Sequence, residues 1–183
     1  YQYHASFPVL RAIAAGDANH DNLTDIAIGF GDSLGILLQN NSGSFNAQVN
    51  YYVGNTVDAL EFGDANNDGY QDIAASLWNE PQVAIFYGDE NGSIPTVPMY
   101  YPSIQGGYDD LEIAKLGTDT FNSVIKMRGQ AMVPYISIYH IAIAKNIETL
   151  VNYEVPALGN NPNSIDAGDV DGDGNNELVY DYQ

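Results

Sequence analysis

The chain has 183 residues, no cysteine, and 24 acidic against 5 basic residues, for a formal charge of −19. So few Lys and Arg exclude a phosphate-gripping nucleic-acid surface, and the absence of cysteine excludes a disulfide framework. No apolar run approaches the ~20 residues of a membrane-spanning helix, so no membrane insertion is expected.

In chain order, residues 9–13 read as a short strand. They lead into Asp17-Ala18-Asn19-His20-Asp21-Asn22-Leu23-Thr24-Asp25 and then the apolar run Ile26-Ala27-Ile28-Gly29-Phe30. Strands are expected next at 35–39 and 48–53, around a Gly/Asn/Ser turn at 40–44. A second unit repeats this order: a strand at 57–62 with Val57, Ala59 and Phe62 on one side, a loop from Asp64 to Asp72, and strands at 73–77, 82–87 and 97–101. The third unit is degenerate. Lys115 and Gly117 fall at loop positions 1 and 3, Asp119 keeps position 5 and Ser123 takes position 9, with strands at 124–127, 135–140 and 149–155. A fourth begins with 164–167, a loop from Asp169 to Glu177, and the apolar Leu178-Val179-Tyr180.

Three loops thus share Asp-x-Asn/Asp-x-Asp-Gly/Asn-x-x-Asp/Glu. Oxygen side chains at positions 1, 3, 5 and 9, with a carbonyl from position 7, suit a hard cation of calcium size. Gly or Asn at position 6 permits the positive-φ turn that points those oxygens inward. An EF-hand is rejected: its closing Glu would fall at Ile28, Ala75 and Tyr180, and the flanking runs read as strands. Lysine at position 1 of the third loop would put a cation inside the cage, so that loop is expected to be metal-free.

The intact loops start 47 and then 105 residues apart, the larger gap spanning the degenerate copy. A period of ~50 residues with about four short strands per unit marks a β-propeller blade. The expected fold is therefore all-β, a propeller of four-stranded antiparallel blades: blade 1 at 7–54, blade 2 at 55–104, blade 3 at 108–157 and the start of blade 4 at 162–183. About three and a half blades leave open edges that invite pairing. Either the sequence is part of a longer chain, or another chain supplies the missing strands, or Tyr1 to Ser6 supplies one.

The segments Gly16-Asp17 to Gly29 and Gly63-Asp64 to Ala74 resemble FG-GAP (VCBS-type) repeats, which build the propeller of integrin α-subunits and of many microbial surface proteins. The resemblance implies structural Ca²⁺, about three ions, in the loop between the first and second strands of a blade. By position, the ligands it implies are Asp17, Asn19, Asp21, Leu23 (carbonyl) and Asp25 in the first loop. In the second they are Asp64, Asn66, Asp68, Tyr70 (carbonyl) and Asp72; in the last, Asp169, Asp171, Asp173, Asn175 (carbonyl) and Glu177. Asn22 stands in the first loop where Gly is usual, and Asn tolerates that turn.

Ten of the acids lie in these loops, and three divalent ions would bring −19 to about −13. Loops of modest affinity match millimolar extracellular calcium, so an extracellular setting, secreted or at the cell surface, is expected. The start Tyr1-Gln2-Tyr3-His4 does not read as a signal peptide, as in a processed or truncated sequence. Sequons occur at Asn22, Asn40 and Asn91; the last two lie in expected hairpin turns and read as glycan acceptors or as unmodified surface turns, whereas a sugar on Asn22, inside the first acidic loop, would obstruct folding.

No catalytic constellation is legible. His4, His20 and His140 lack a nucleophile or carboxylate partner at a readable spacing, and Asp109-Asp110 or Glu148 with Glu154 read as solvated carboxylates before they read as a sugar-cleaving pair. Trp78-Asn79-Glu80-Pro81 is the best ligand-facing loop, against a Trp that caps a blade edge. Tyr51, Tyr52, Tyr100 and Tyr101 are ordinary strand residues or an exposed interface row. The expected function is a non-enzymatic surface module for adhesion, scaffolding or assembly. Its partners would be a protein or glycan at the cell surface, with self-association through open blade edges as a further option. The alternative is a lectin-like or accessory propeller of a secreted polysaccharide-active enzyme.

Overall fold

The computed structural model describes residues 9–78, 80–103, 109–128, 135–154 and 162–182. Within them the chain is all-β. Sheet I holds β1 (Leu10–Gly16), β2 (Asp25–Phe30), β3 (Ser33–Leu37) and β4 (Val49–Tyr52). Sheet II holds β5 (Val57–Gly63), β6 (Asp72–Leu77), β7 (Gln82–Phe86) and β8 (Met99–Pro102). Sheet III follows with β9 (Asp109–Ala114), β10 (Ser123–Arg128), β11 (Tyr135–Ile141) and β12 (Ile147–Glu154), and sheet IV with β13 (Pro162–Gly168) and β14 (Glu177–Tyr182). Every sheet is antiparallel, with its strands side by side in chain order.

The short runs Ile26-Ala27-Ile28 and Val83-Ala84-Ile85-Phe86 form strands because branched and aromatic side chains pack well on a pleated surface, and Gly, Asn and Ser turn the chain between them. Alternate residues then serve opposite faces. In sheet II, Ile73, Ala75, Leu77, Ala84 and Phe86 pack toward sheet I, while Ala74, Val83 and Ile85 pack toward sheet III. A third apolar layer, with Ile125, Met127, Ile136 and Ile165, joins sheets III and IV. The four sheets therefore stack face to face in sequence order, with β1 against β5, β5 against β9 and β9 against β13. Burial of each large aliphatic or aromatic side chain in these layers contributes about 1.5–3 kcal/mol.

The expected one-sidedness of Val57, Ala59 and Phe62 is corrected by a β-bulge between Val57 and Ala59. The extra residue reverses the alternation, so Val57, Leu60 and Phe62 face sheet I and Ala59 faces sheet III. The glycine before a loop has a packing reason. A Cβ on Gly63 would lie 2.6 Å from Ile113, and one on Gly16 would overlap Phe62, so glycine lets the next sheet close down on the strand end. The segment Tyr1 to Ser6, with His4, and Asn79 lie outside the described residues.

Candidate functional site

The last cross-strand pairs before the loops are Gly16–Asp25, Gly63–Asp72, Ala114–Ser123 and Gly168–Glu177. This register puts Asp17, Asp64, Lys115 and Asp169 at the first loop position and Asp25, Asp72, Ser123 and Glu177 at the ninth, matching the alignment drawn from sequence. All four loops connect the first and second strands of their sheets.

Three of the loops share one hydrogen-bond frame. The first carboxylate accepts backbone N–H groups from positions 5 and 6: Asp17 from Asp21 and Asn22, Asp64 from Asp68 and Gly69, Asp169 from Asp173 and Gly174, at 2.8–3.1 Å. The fifth accepts from position 7, with Asp21 bound by Leu23 N–H at 2.8 Å, Asp68 by Tyr70 at 3.0 Å and Asp173 by Asn175 at 2.8 Å. The ninth accepts from position 2: Asp25 from Ala18, Asp72 from Ala65 and Glu177 from Val170. Gln39 N–H on Asp25 and Gly88 N–H on Asp72 tie the loops to the next part of their sheets.

Position 6 is left-handed as expected, at Asn22, Gly69 and Gly174. Position 4 is left-handed as well, at His20, Asn67 and Gly172. The signal for this second turn was present in the sequence, since Asn, His and Gly are the residues that tolerate positive φ.

The frame gathers negative charge. In the last loop, carboxylate oxygens of Asp169, Asp171 and Glu177 converge within 4.8 Å of one another, and Asp173 stands outside that set. In the first two loops position 3 is Asn, and the ninth carboxylate is fully buried. Burial, with Asp68 and Asp64 adding repulsion, pushes Asp72 up to about 7. Asp25 is raised for the same first reason, with Asp21 and Asp17 nearby. Neither Arg11, paired with Asp58 at 3.2 Å, nor Lys126, paired with Asp109 at 2.8 Å, neutralises a loop carboxylate. The side-chain oxygen of Asn19, at position 3, is buried without a hydrogen-bond partner. An all-oxygen donor set with buried negative charge and an orphaned carbonyl oxygen fits a hard divalent cation.

The loops form a continuous row. Asp17 N–H bonds Gln71 Oε1 at 2.6 Å, and the His20 ring meets Tyr70 edge-on at 4.9 Å, joining the first loop to the second. Asn122 N–H bonds Asn67 Oδ1 at 2.6 Å and its side chain reaches the Asp64 carbonyl, joining the second to the degenerate loop. Gly117 N–H bonds the Asn176 carbonyl at 2.8 Å, joining that loop to the last. None of these long-range partners has a sequence signature. The β7–β8 turn also leans on the first loop: Gly92, at φ +68°, lies so close to the Asn19 carbonyl that a Cβ there would collide with it.

The other candidates sit elsewhere. His140 Nδ1 and Ser123 Oγ are 3.1 Å apart, but Ser123 is fully buried at the ninth position of the degenerate loop and is closed to a substrate. The Trp78 ring carries the Arg11 guanidinium at 4.8 Å. Tyr51 and Tyr101 turn inward, Tyr101 bonding Tyr87 and the Lys145 carbonyl, whereas Tyr52 and Tyr100 are exposed. Asn40 caps its own turn through Ser42, and Asn91 lies in the turn held by Asp89. Among the described residues, no helix is long and apolar enough to cross a membrane. Compared with known proteins, the chain matches no family model and no curated protein.

Proposed function

We propose that this chain is a calcium-stabilised, non-enzymatic module of the FG-GAP (VCBS-type) kind, its stacked sheets the blades of a propeller, serving adhesion or scaffolding outside the cell. The observation that carries the reading is the single hydrogen-bond frame repeated in three loops, which preorganises oxygen side chains around concentrated, unneutralised negative charge. Asp17, Asn19, Asp21 and Asp25 would hold one ion, Asp64, Asn66, Asp68 and Asp72 a second, and Asp169, Asp171, Asp173 and Glu177 a third, with the carbonyls of Leu23, Tyr70 and Asn175. The ion supplies positive charge that removes carboxylate repulsion and locks the strand ends; the protein supplies the turn. The register supports leaving the degenerate third loop out, because Lys115 takes the place of the first carboxylate. Melting curves with chelator and with excess calcium test the reading: a calcium-dependent gain in melting temperature supports it, and superimposable curves refute it.

Glycan binding is a second reading. It is supported by an open cleft of about 340 Å³ beside the second loop, where Phe121, His140, Asn67 and Glu148 combine an aromatic face with polar groups. A glycan array with wild type and Phe121→Ala distinguishes it.

A further inference from the structure

Gln71 and Asn122 hold the same place in consecutive loops, the eighth position, and each reaches back to the first position of the loop before it. Gln71 Oε1 accepts the Asp17 N–H at 2.6 Å, and Asn122 Nδ2 donates to the Asp64 carbonyl at 3.0 Å. Asn122 also grips the fourth position: its N–H donates to Asn67 Oδ1 at 2.6 Å, and its carbonyl accepts Asn67 Nδ2 at 3.2 Å. Asn176, the eighth residue of the last loop, repeats the reach through its carbonyl, which accepts the Gly117 N–H. The carboxylate at position 9 turns into its own loop, as Asp72 does onto Ala65 N–H. Alternation along the extended chain therefore turns position 8 outward, toward the neighbouring sheet. Gly16 leaves room for it, since a Cβ there would lie 2.6 Å from Gln71 Oε1.

Both clamps act on the residue whose carboxylate frames a cage. Asp17 and Asp64 each accept N–H groups from the fifth and sixth positions, so holding their backbone holds the origin of that frame. Gln71 itself stands between Tyr70 and Asp72, the seventh and ninth positions of the second loop. We infer that the eighth residue of the second and third loops is a positioning residue for the cation site of the loop before it, so that filling the second site raises the affinity of the first. An ion on Asp72 and the Tyr70 carbonyl would hold Gln71 still, and the Asp17 N–H then meets an acceptor that is already ordered. Linkage makes the effect reciprocal. The degenerate loop supplies its clamp without an ion: Asp119 N–H closes on the Leu116 carbonyl at 3.0 Å, and Ser123 Oγ meets His140 Nδ1 at 3.1 Å. The third unit thus has a use for a loop whose first and third oxygen ligands are replaced by Lys115 and Gly117. The inference rests on the calcium reading and adds coupling between its sites.

The test is calcium titration of the isotope-labelled, chelator-stripped whole chain, followed by NMR. The amides of Asn22, Gly69 and Gly174, each donating to the first carboxylate of its own loop, report the three sites separately. Gln71→Ala is expected to move the Asn22 midpoint to about three- to tenfold higher calcium, the loss of one hydrogen bond, and Asn122→Ala to do the same to Gly69. Gly174 keeps its wild-type midpoint in both, which separates a local clamp from general loss of structure. Asp64→Ala, which disables the second site, also raises the Asn22 midpoint, and in the double variant with Gln71→Ala the two rises are less than additive. An unmoved Asn22 midpoint in Gln71→Ala or Asp64→Ala, or an unmoved Gly69 midpoint in Asn122→Ala, overturns the inference while the calcium reading stands. So do fully additive rises in the double variant, or three midpoints that shift together. Wild-type amides that ignore calcium altogether refute the calcium reading, and the inference with it.

Discussion

Lys126 Nζ lies 2.8 Å from Asp109 Oδ2 across β9 and β10, and both side chains are shut off from solvent. Burial raises the Asp109 carboxyl, and Lys126 opposes that rise. Such a pair adds little over well-packed apolar residues, yet removing one partner strands a buried charge. Lys126→Met is expected to cost about 3–5 kcal/mol in urea denaturation. The double variant with Asp109→Leu should recover most of that; a double variant as unstable as the single would show that the pair itself is required.

Glu61 and Glu112, on the neighbouring strands β5 and β9, are each pushed up to about 7. Burial is the main cause. Asp110 and then Asp166 add repulsion at Glu61; at Glu112 the order is Glu61, Asp166, Asp110. Because the folded-state values lie above the ordinary 4.5, these groups favour the fold below about pH 4.5, and that contribution is lost as pH rises through about 7. After allowance for solvent screening the effect is about 1–2 kcal/mol for each. Glu61→Gln should therefore be more stable than wild type at pH 8 and nearly equal to it at pH 4.5. Equal stability at both values would remove the electrostatic account of this cluster.

Gly92, in the second unit, lies against the Asn19 carbonyl of the first loop. Gly92→Ala combines positive φ with a clash on the Asn19 carbonyl, an expected loss of about 1–3 kcal/mol. The loss should include weaker cation binding at the first loop alone, read by titrating this variant beside wild type. Unchanged binding at that loop would mean that the turn gives way without disturbing it.

Asp64 and Asp119 give a paired comparison. Asp64 accepts two backbone N–H bonds at the first loop position, whereas Asp119 is exposed in the loop that begins with Lys115. Asp64→Ala should lower the melting temperature and shrink its response to calcium. Asp119→Ala should leave both close to wild type, and comparable losses would break the alignment of the third unit.

The strand–loop–strand order and the ninth loop position were legible in the sequence, because alternation, Gly/Asn punctuation and the acidic spacing are local signals. The bulge after Val57 was not, since one inserted residue leaves no compositional trace and yet reverses which side chains meet sheet I. Contacts such as Asn67 with Asn122, or Gly92 with Asn19, join residues more than fifty apart and arise only once the sheets stack. The left-handed fourth loop position lay in between. His20, Asn67 and Gly172 are compatible with it, but the carboxylate spacing drew attention to the sixth.

Calorimetric titration of Ca²⁺ into chelator-stripped protein, followed by a melt, tests the central claim most directly. The account predicts about three bound ions per chain, one for each intact loop. It also predicts a stabilisation of about 2.7 kcal/mol per site at ~100-fold excess over Kd, roughly 5–10 °C for a chain of this size. No binding heat together with an unshifted melting temperature would contradict it.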